Sequence, residues 1–160
     1  MVEGEYLEFV VEDKSRFGML QKVFYELKKA KEADSIDSNN EEHWLKFFDK
    51  KALEHFWWPT EEQLKRCRDA AKFNILGFFK MSGGQLSDLT RSMSGGKWEF
   101  GSMIYLIDQC EYNLVSCELI SNTNIAHLEF FSLAHPYGGT ASLRCLVEAF
   151  GFNVTKDTGL

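Results

Sequence analysis

Two alternating segments joined by a short polar turn constrain the fold of this chain more than any other feature. Residues 112–120 and 125–133 are rich in β-branched and aromatic side chains, and residues 121–124 between them have the composition of a hairpin turn. If Ile120 pairs with Ile125, the register of the whole hairpin follows, because successive side chains of a strand point to opposite faces of the sheet.

This register predicts one apolar face and one mixed face. The apolar face holds the pairs Leu119/Ala126, Cys117/Leu128 and Val115/Phe130. The mixed face holds the pairs Ile120/Ile125, Glu118/His127, Ser116/Glu129 and Leu114/Phe131. A slip of one residue would exchange the two faces.

Strand and helix patterns flank the hairpin on both sides. Residues 6–11 alternate as a strand does, and Glu12 and Asp13 then suit the start of a helix running to about Ala33. The apolar stripe of that helix is formed by Phe17, Leu20, Phe24 and Leu27. After the hairpin, Thr140 can cap a second helix that ends at Gly151, and residues 152–155 form a closing strand.

The resulting order, βαββαβ, predicts an α+β protein with a ferredoxin-like antiparallel sheet of strand order 4-1-3-2. Both crossovers are expected to be right-handed, which places both crossover helices on one face. The chain of 160 residues fits a single domain, residues 1–160, in which residues 40–110 are a long helical insertion.

The insertion carries its own signals. A helix is predicted after Asn40, bearing Trp44, Phe47, Phe48 and Phe56, until Trp58-Pro59 interrupts it. Thr60 and Gln63 form a capping box for the next helix. Glycine pairs make residues 81–97 a flexible connection, and helical spacing returns over residues 98–110.

Composition excludes several classes of function. The formal net charge of −6 disfavours nucleic-acid and anionic-membrane partners, because both are bound through clustered Lys and Arg. No segment approaches the roughly 20 apolar residues of a membrane span, and residues 1–5 are acidic where a signal peptide is basic. The four cysteines show no C-x-x-C spacing, so neither a zinc site nor a redox pair is indicated, and free thiols favour a cytoplasmic location. We predict no metal and no cofactor.

The segment between the hairpin and the last helix is the first candidate site. It lies where free amides and the helix dipole favour an anion, and its glycines allow a ligand to approach the backbone. Its residues are predicted to bind a small anionic molecule: His135, Tyr137, Gly138, Gly139 and Thr140.

A second candidate lies on the mixed face of the predicted sheet. Carboxylates and an imidazole within one patch can act as an acid/base pair or bind a cation. In a 4-1-3-2 sheet this patch contains Glu8, Glu118, His127 and Glu129. The alternative is that Glu118 and His127 are an ordinary cross-strand pair.

A third candidate is the aromatic run Phe56-Trp57-Trp58. Three consecutive side chains cannot all lie on one side of a helix, so at least one is predicted to contact the sheet, a ligand or a protein partner. Cys145, near the start of the last helix, can be acidified by the helix N-terminus or buried against the sheet.

Residues 10–27 resemble the start of ACT-type regulatory domains, and Asp13, Gly18 and Leu20 carry the resemblance. It implies the βαββαβ order and amino-acid binding at the strand-to-helix turn. The sequence departs from that pattern because it lacks the proline before the glycine and places Asp13 two positions farther from Gly18.

These observations favour a soluble binding or regulatory module without catalysis, whose partner is a small anionic molecule or a protein. One alternative is a small enzyme that uses the carboxylate/histidine cluster. Another is an acidic, inhibitor-type interaction protein that covers a basic partner, for which the net charge provides electrostatic steering.

Overall fold

The computed structural model describes residues 4–37, 40–75 and 94–159. The chain divides into two units, one of Met1–His55 with Gly101–Leu160 and one of Phe56–Phe100. The prediction for residues 81–93 lies outside the described residues.

The described elements follow in this order: β1 (Glu5–Val10), α1 (Lys14–Glu32), α2 (Glu41–Leu45), α3 (Lys50–Leu53), α4 (Glu61–Ile75), α5 (Phe100–Gln109), β2 (Tyr112–Leu119), β3 (Ile125–Ser132), α6 (Ala141–Ala149) and β4 (Val154–Asp157). Helix α4 belongs to the second unit, and the four strands belong to the first. None of the described helices is long and apolar enough to cross a bilayer.

The four strands form one antiparallel sheet in the order β2-β3-β1-β4. Read from the opposite edge, this order is 4-1-3-2. Helix α1 follows β1 and helix α6 follows β3, so the α+β class is confirmed.

The predicted hairpin register is correct from Leu119 to Ser116. The pairs Leu119/Ala126, Glu118/His127, Cys117/Leu128 and Ser116/Glu129 occur as predicted. A bulge between Leu114 and Ser116 then shifts the ladder, so Leu114 pairs with Phe130 and Asn113 with Phe131. The predicted pairs Val115/Phe130 and Leu114/Phe131 are therefore wrong, because a bulge places one extra residue in β2 and reverses the faces beyond it.

One face of the sheet is the floor of the core. The apolar stripe predicted for α1 is buried against it, as are Leu143, Leu146 and Val147 of α6. The buried strand residues include Leu7, Phe9, Cys117, Leu128 and Phe130. Each buried side chain of this size contributes roughly 1.5–3 kcal/mol to folding, so alternation in the strands fixes which face the helices cover.

The helix predicted after Asn40 is two short helices rather than one. Asp49 interrupts it, because its carboxylate accepts the Ala52 amide at 2.9 Å and so begins α3 as an N-cap. The Arg16 guanidinium bonds both oxygens of Asp49, at 2.7 and 3.2 Å, and donates through Nε to the Phe150 carbonyl at 2.9 Å. These bonds hold α3 to the ends of α1 and α6.

In the second unit, the capping box is confirmed. The Thr60 amide donates to Gln63 Oε1 at 2.9 Å, and the Gln63 amide donates to Thr60 Oγ1 at 3.2 Å. Helix α5 begins at Phe100 rather than at Trp98, because the Trp98 carbonyl accepts the Trp57 amide at 2.7 Å in a short bridge.

Two sequence signals mark the end of α6 and the strand that follows it, and they have different outcomes. Gly151 adopts the predicted left-handed conformation, with φ of 91°, directly after the helix. The closing strand is β4, Val154–Asp157, rather than residues 152–155. It begins later because Phe152 turns into the core, where its ring centre lies 5.4 Å from that of Phe9.

Candidate functional site

The sheet face opposite α1 and α6, here called the open face, gathers most of the predicted acid/base residues. Alternation places on it Tyr6, Glu8 and Val10 of β1, Ile125, His127, Glu129 and Phe131 of β3, Ser116 and Glu118 of β2, and Lys156 of β4. These strands position the side chains because each is paired in register with its neighbour.

A cluster of four side chains lies at the centre of the open face. The His127 and Tyr6 rings stack, with centres 4.1 Å apart and planes 15° apart. His127 Nε2 and Glu8 Oε2 are 3.0 Å apart, within hydrogen-bond distance. Lys156 donates to the Tyr6 hydroxyl at 3.0 Å, and its Nζ lies 5.4 Å from the centre of the Tyr6 ring. The bond to Tyr6 raises the pKa of Lys156, and the charge of Glu8 adds to this shift.

Glu118 lies opposite His127 in the register, but its carboxylate bonds elsewhere. It accepts the Tyr25 hydroxyl at 2.5 Å and the Gln21 side-chain amide at 3.1 Å. Partial burial, followed by this bond to Glu118, raises the pKa of Tyr25 to about 12. The predicted set of four is therefore divided: Glu8 and His127 are bonded to each other, Glu129 shares their face, and Glu118 is bonded to α1.

The same α1 side chains cover the backbone of edge strand β2. The Cys117 amide donates to the Tyr25 hydroxyl at 3.2 Å, and the Gln21 side-chain amide donates to the Cys117 carbonyl at 2.9 Å. An uncovered edge invites a further strand. Here, helix side chains satisfy the backbone of the edge at Cys117.

Exposed apolar side chains concentrate on this part of the molecule. Five of the nine large apolar residues that are exposed in the described parts of the chain lie on β1–β3 or directly after them: Val10, Val115, Ile120, Phe131 and Leu133. Alternation directs Val10, Ile120, Phe131 and Leu133 to the open face. Val10 and Ile120 lie near one end of the face and Phe131 and Leu133 near the other, with polar residues between them.

The residues predicted to bind an anion are largely engaged inside the fold. Tyr137 is buried, and its hydroxyl donates to the Gly159 carbonyl. Thr140 stands at the predicted N-cap position of α6, but its hydroxyl donates to Asp157 Oδ2 at 2.6 Å and makes no capping bond. At Gly138, an added Cβ would lie 2.5 Å from Cys110 Sγ, so this glycine is required for close packing.

Gly139 and His135 have fewer constraints than the other predicted ligand residues of this loop. Gly139 has φ of 85° and open space where a side chain would begin, and His135 is exposed. Asp157 lies beside them near the start of α6, accepting bonds from the Gly159 amide at 2.9 Å and from Arg144 at 3.3 Å. A carboxylate of the chain itself thus occupies the neighbourhood where the sequence predicted a ligand anion.

The aromatic run Phe56-Trp57-Trp58 lies in the second unit. Phe56 is buried and meets the Phe100 ring edge-on, with ring centres 5.2 Å apart. Trp58 stacks on the same Phe100 ring, with ring centres 5.9 Å apart and planes 21° apart, and its side chain is 45% exposed. Trp58 is therefore the member of the predicted partner contact that reaches the surface.

The described thiols are not activated. Cys110, Cys117 and Cys145 are free and buried, and burial raises the pKa of each. The pKa of Cys145 rises to about 12, so the helix N-terminus does not acidify it. Among the described residues, no three His, Cys, Asp or Glu side chains converge as metal ligands do.

A cleft of about 410 Å³ lies at the turn from β1 to α1. Its wall includes Asp13 and Arg16, but Asp13 accepts the Ser15 and Arg16 amides as the N-cap of α1. Leu20 is a core residue, and Gly18 is exposed. The three residues that carry the ACT-type resemblance therefore have a cap, a core and a surface role.

Comparison of the chain with protein-family models, with curated proteins and with solved structures finds no match.

Sequence reasoning missed Lys156 as a site residue. Its signal was the alternation of the last strand, in which Lys156 pairs with Glu8. Placing that strand at residues 152–155 ended it one residue too early to include the lysine. Arg16 and Asp49 gave no local signal, because they are 33 residues apart.

Proposed function

We propose that this chain is a non-catalytic interaction module that binds a protein partner through the open face of its sheet. The observation that carries the proposal is the arrangement of that face, where a bonded cluster of Tyr6, Glu8, His127 and Lys156 lies between exposed apolar side chains.

The composition of the face supports a protein rather than a small molecule as its partner. Interfaces are enriched in aromatic residues and combine apolar contacts with hydrogen bonds. Val10 and Phe131, on the two central strands, are 37% and 38% exposed. Small ligands instead bury most of their surface in concave pockets, whereas a sheet face offers a broad surface.

The state of the reactive groups supports a binding role without catalysis. The buried thiols have raised pKa values and are protonated at neutral pH, whereas the thiolate is the nucleophile. Glu118, one of the predicted acid/base residues, is bonded to Tyr25 of α1 instead of to His127.

Two finer statements belong to the same proposal. We infer a ferredoxin-like topology, which the 4-1-3-2 order and the helices after β1 and β3 support. We infer a cytoplasmic location, which the three free thiols support because such thiols persist where glutathione keeps them reduced.

Site-specific photo-crosslinking in the native host tests the proposal. A photoreactive amino acid replaces Val10 or Phe131 on the open face, and Tyr105 of α5 is the matched control because it is also exposed and apolar. The expected result is a crosslink to the same protein from both open-face positions and not from the control. Crosslinks from Tyr105 alone, or none from Val10 and Phe131, would overturn the proposal.

A further inference from the structure

The side chain of Lys156 lies on the open face as a cation bound to an aromatic ring. Its Nζ lies 5.4 Å from the Tyr6 ring centre, within the range of a cation–π contact, and 3.0 Å from the Tyr6 hydroxyl. Lys156 also pairs with Glu8 across β1 and β4. Tyr6 thus already holds an ammonium group, and Glu8 lies beside it in the register.

We propose that Tyr6, Glu8 and Glu129 form a binding site for a Lys or Arg side chain of a basic partner, and that Lys156 occupies this site in the unbound protein. This inference rests on the proposed function, because it assigns the chemistry of the partner at the open face. Binding then requires the partner's cation to displace the chain's own.

The charges of the face favour a cation. Its charged side chains are Glu8, Glu129 and Lys156, since the carboxylate of Glu118 bonds to α1, and the whole chain carries a formal net charge of −6. Glu129 lies opposite Tyr6 in the register of β1 and β3. Its carboxylate has no hydrogen-bond or ion-pair partner among the residues that the structure describes, so it is available to a guanidinium.

Lys156 is held weakly enough to be displaced. It is exposed and lies on β4, an edge strand of four residues. Ion pairs and hydrogen bonds of exposed lysines are weak, because water competes for the ammonium and the long side chain loses entropy when it is fixed. An arginine of the partner can stack on Tyr6 and bond a carboxylate with two parallel N–H groups, which Lys156 cannot do.

The inference predicts that removing Lys156 strengthens the binding of a cationic probe. The probe is an acetylated and amidated hexa-arginine peptide, titrated into the full-length ¹⁵N-labelled chain in salt of about 0.15 M, where charges more than roughly 8 Å apart are largely screened. The variant is Lys156→Met, and Lys29→Met is the matched control because it removes the same charge from an exposed position on α1.

Lys156→Met is expected to bind the peptide about threefold more tightly than Lys29→Met does, the size of one exposed cation–π contact. Glu129→Gln is expected to weaken binding, and the amide shifts should concentrate on Tyr6, Glu8 and Glu129. Equal affinity of the two lysine variants would overturn the inference. Shifts spread over α1 instead of the open face would overturn it as well.

The two proposals fail separately. If crosslinks form from Val10 and Phe131 while the lysine variants bind the peptide equally, the open face docks a protein but does not use this cation site. If the peptide shifts the amides around Tyr6 but no crosslink forms, the cation site is present and the proposed function is wrong.

Discussion

Asp157 is the residue that most affects the anion site predicted at His135–Thr140. Its side chain is only 3% exposed and bonds Thr140, Arg144 and the Gly159 amide. A buried carboxylate needs such donors, because removing it from water is costly. The loop from His135 to Thr140 is thereby tied to the C-terminal strand by a charge that the chain supplies.

Replacing Asp157 by alanine is expected to lower the free energy of unfolding by about 2–3 kcal/mol, because the buried Thr140 hydroxyl and the Gly159 amide lose their acceptor. Urea denaturation followed by circular dichroism measures the change. Thr155→Ala is the control, since its hydroxyl bonds the Glu8 carbonyl at an exposed position. Equal losses in the two variants would contradict the structural role assigned to Asp157.

Asp49 makes stability depend on pH in the acid range. The hydrogen bonds from Arg16, and then the Ala52 amide, lower the pKa of Asp49 below its usual 3.8. A carboxyl whose folded-state pKa is lowered stabilises the fold above its unfolded pKa, and this contribution is lost as the pH falls through the folded pKa. Wild type is therefore expected to exceed Asp49→Asn in unfolding free energy at pH 7, with the difference shrinking below about pH 4. A difference that stays constant down to pH 2 would exclude the linkage.

At the scale of elements, the bulge in β2 reverses which of two neighbouring residues is in the core. Leu114 is buried and Val115 is 42% exposed, the opposite of what the regular register predicted. Leu114→Ala is therefore expected to cost about 2–4 kcal/mol, because it leaves a cavity. Val115→Ala is expected to change stability by about 0.5 kcal/mol or less. Urea denaturation measures both changes. A larger loss of stability in Val115→Ala than in Leu114→Ala would mean that the ladder is regular.

The elements that sequence patterns predicted well are those with local causes. The helix after Asp13, the capping box at Thr60 and the left-handed Gly151 each depend on side chains within a few positions of the feature. The hairpin register from Leu119 to Ser116 follows from a short turn and an alternating pattern, which are also local.

The elements that were missed have distant causes. The bulge at Val115 and the break at Asp49 depend on residues far along the chain, since Asp49 is fixed by Arg16. Glu118 leaves the acidic cluster because Tyr25 and Gln21, on a helix more than 90 residues away, offer hydrogen bonds. Which hydrogen bonds these side chains form depends on tertiary packing. The pattern of residues along the sequence does not specify that packing.

At the scale of the whole molecule, most acidic groups of the first unit lie at the surface, whereas its thiols and most of its aromatic rings are buried. This separation bears on which functional hypotheses are supported. Strands β1 and β3 present carboxylates on one face, and the thiols and most aromatic rings of the first unit lie within the core. A net charge of −6 accelerates encounter with a basic partner by electrostatic steering. In the proposed interaction, the charge would therefore set how quickly the chain meets a basic partner, and the open face would set which partner it binds.

A thermal-shift screen of the full chain separates this reading from the metal and anion hypotheses. A ligand present at 100 times its dissociation constant stabilises a fold by about 2.7 kcal/mol, which raises Tm by several degrees for a chain of this size. We expect Mg²⁺, Zn²⁺ and inorganic phosphate to shift Tm by less than about 1 °C, because no three metal-binding side chains of the described residues converge and Asp157 places a carboxylate near the start of α6. A Zn²⁺ shift that is lost in His127→Ala would restore the metal or acid/base hypothesis. A phosphate shift that is lost in Gly139→Val would restore the loop as an anion site.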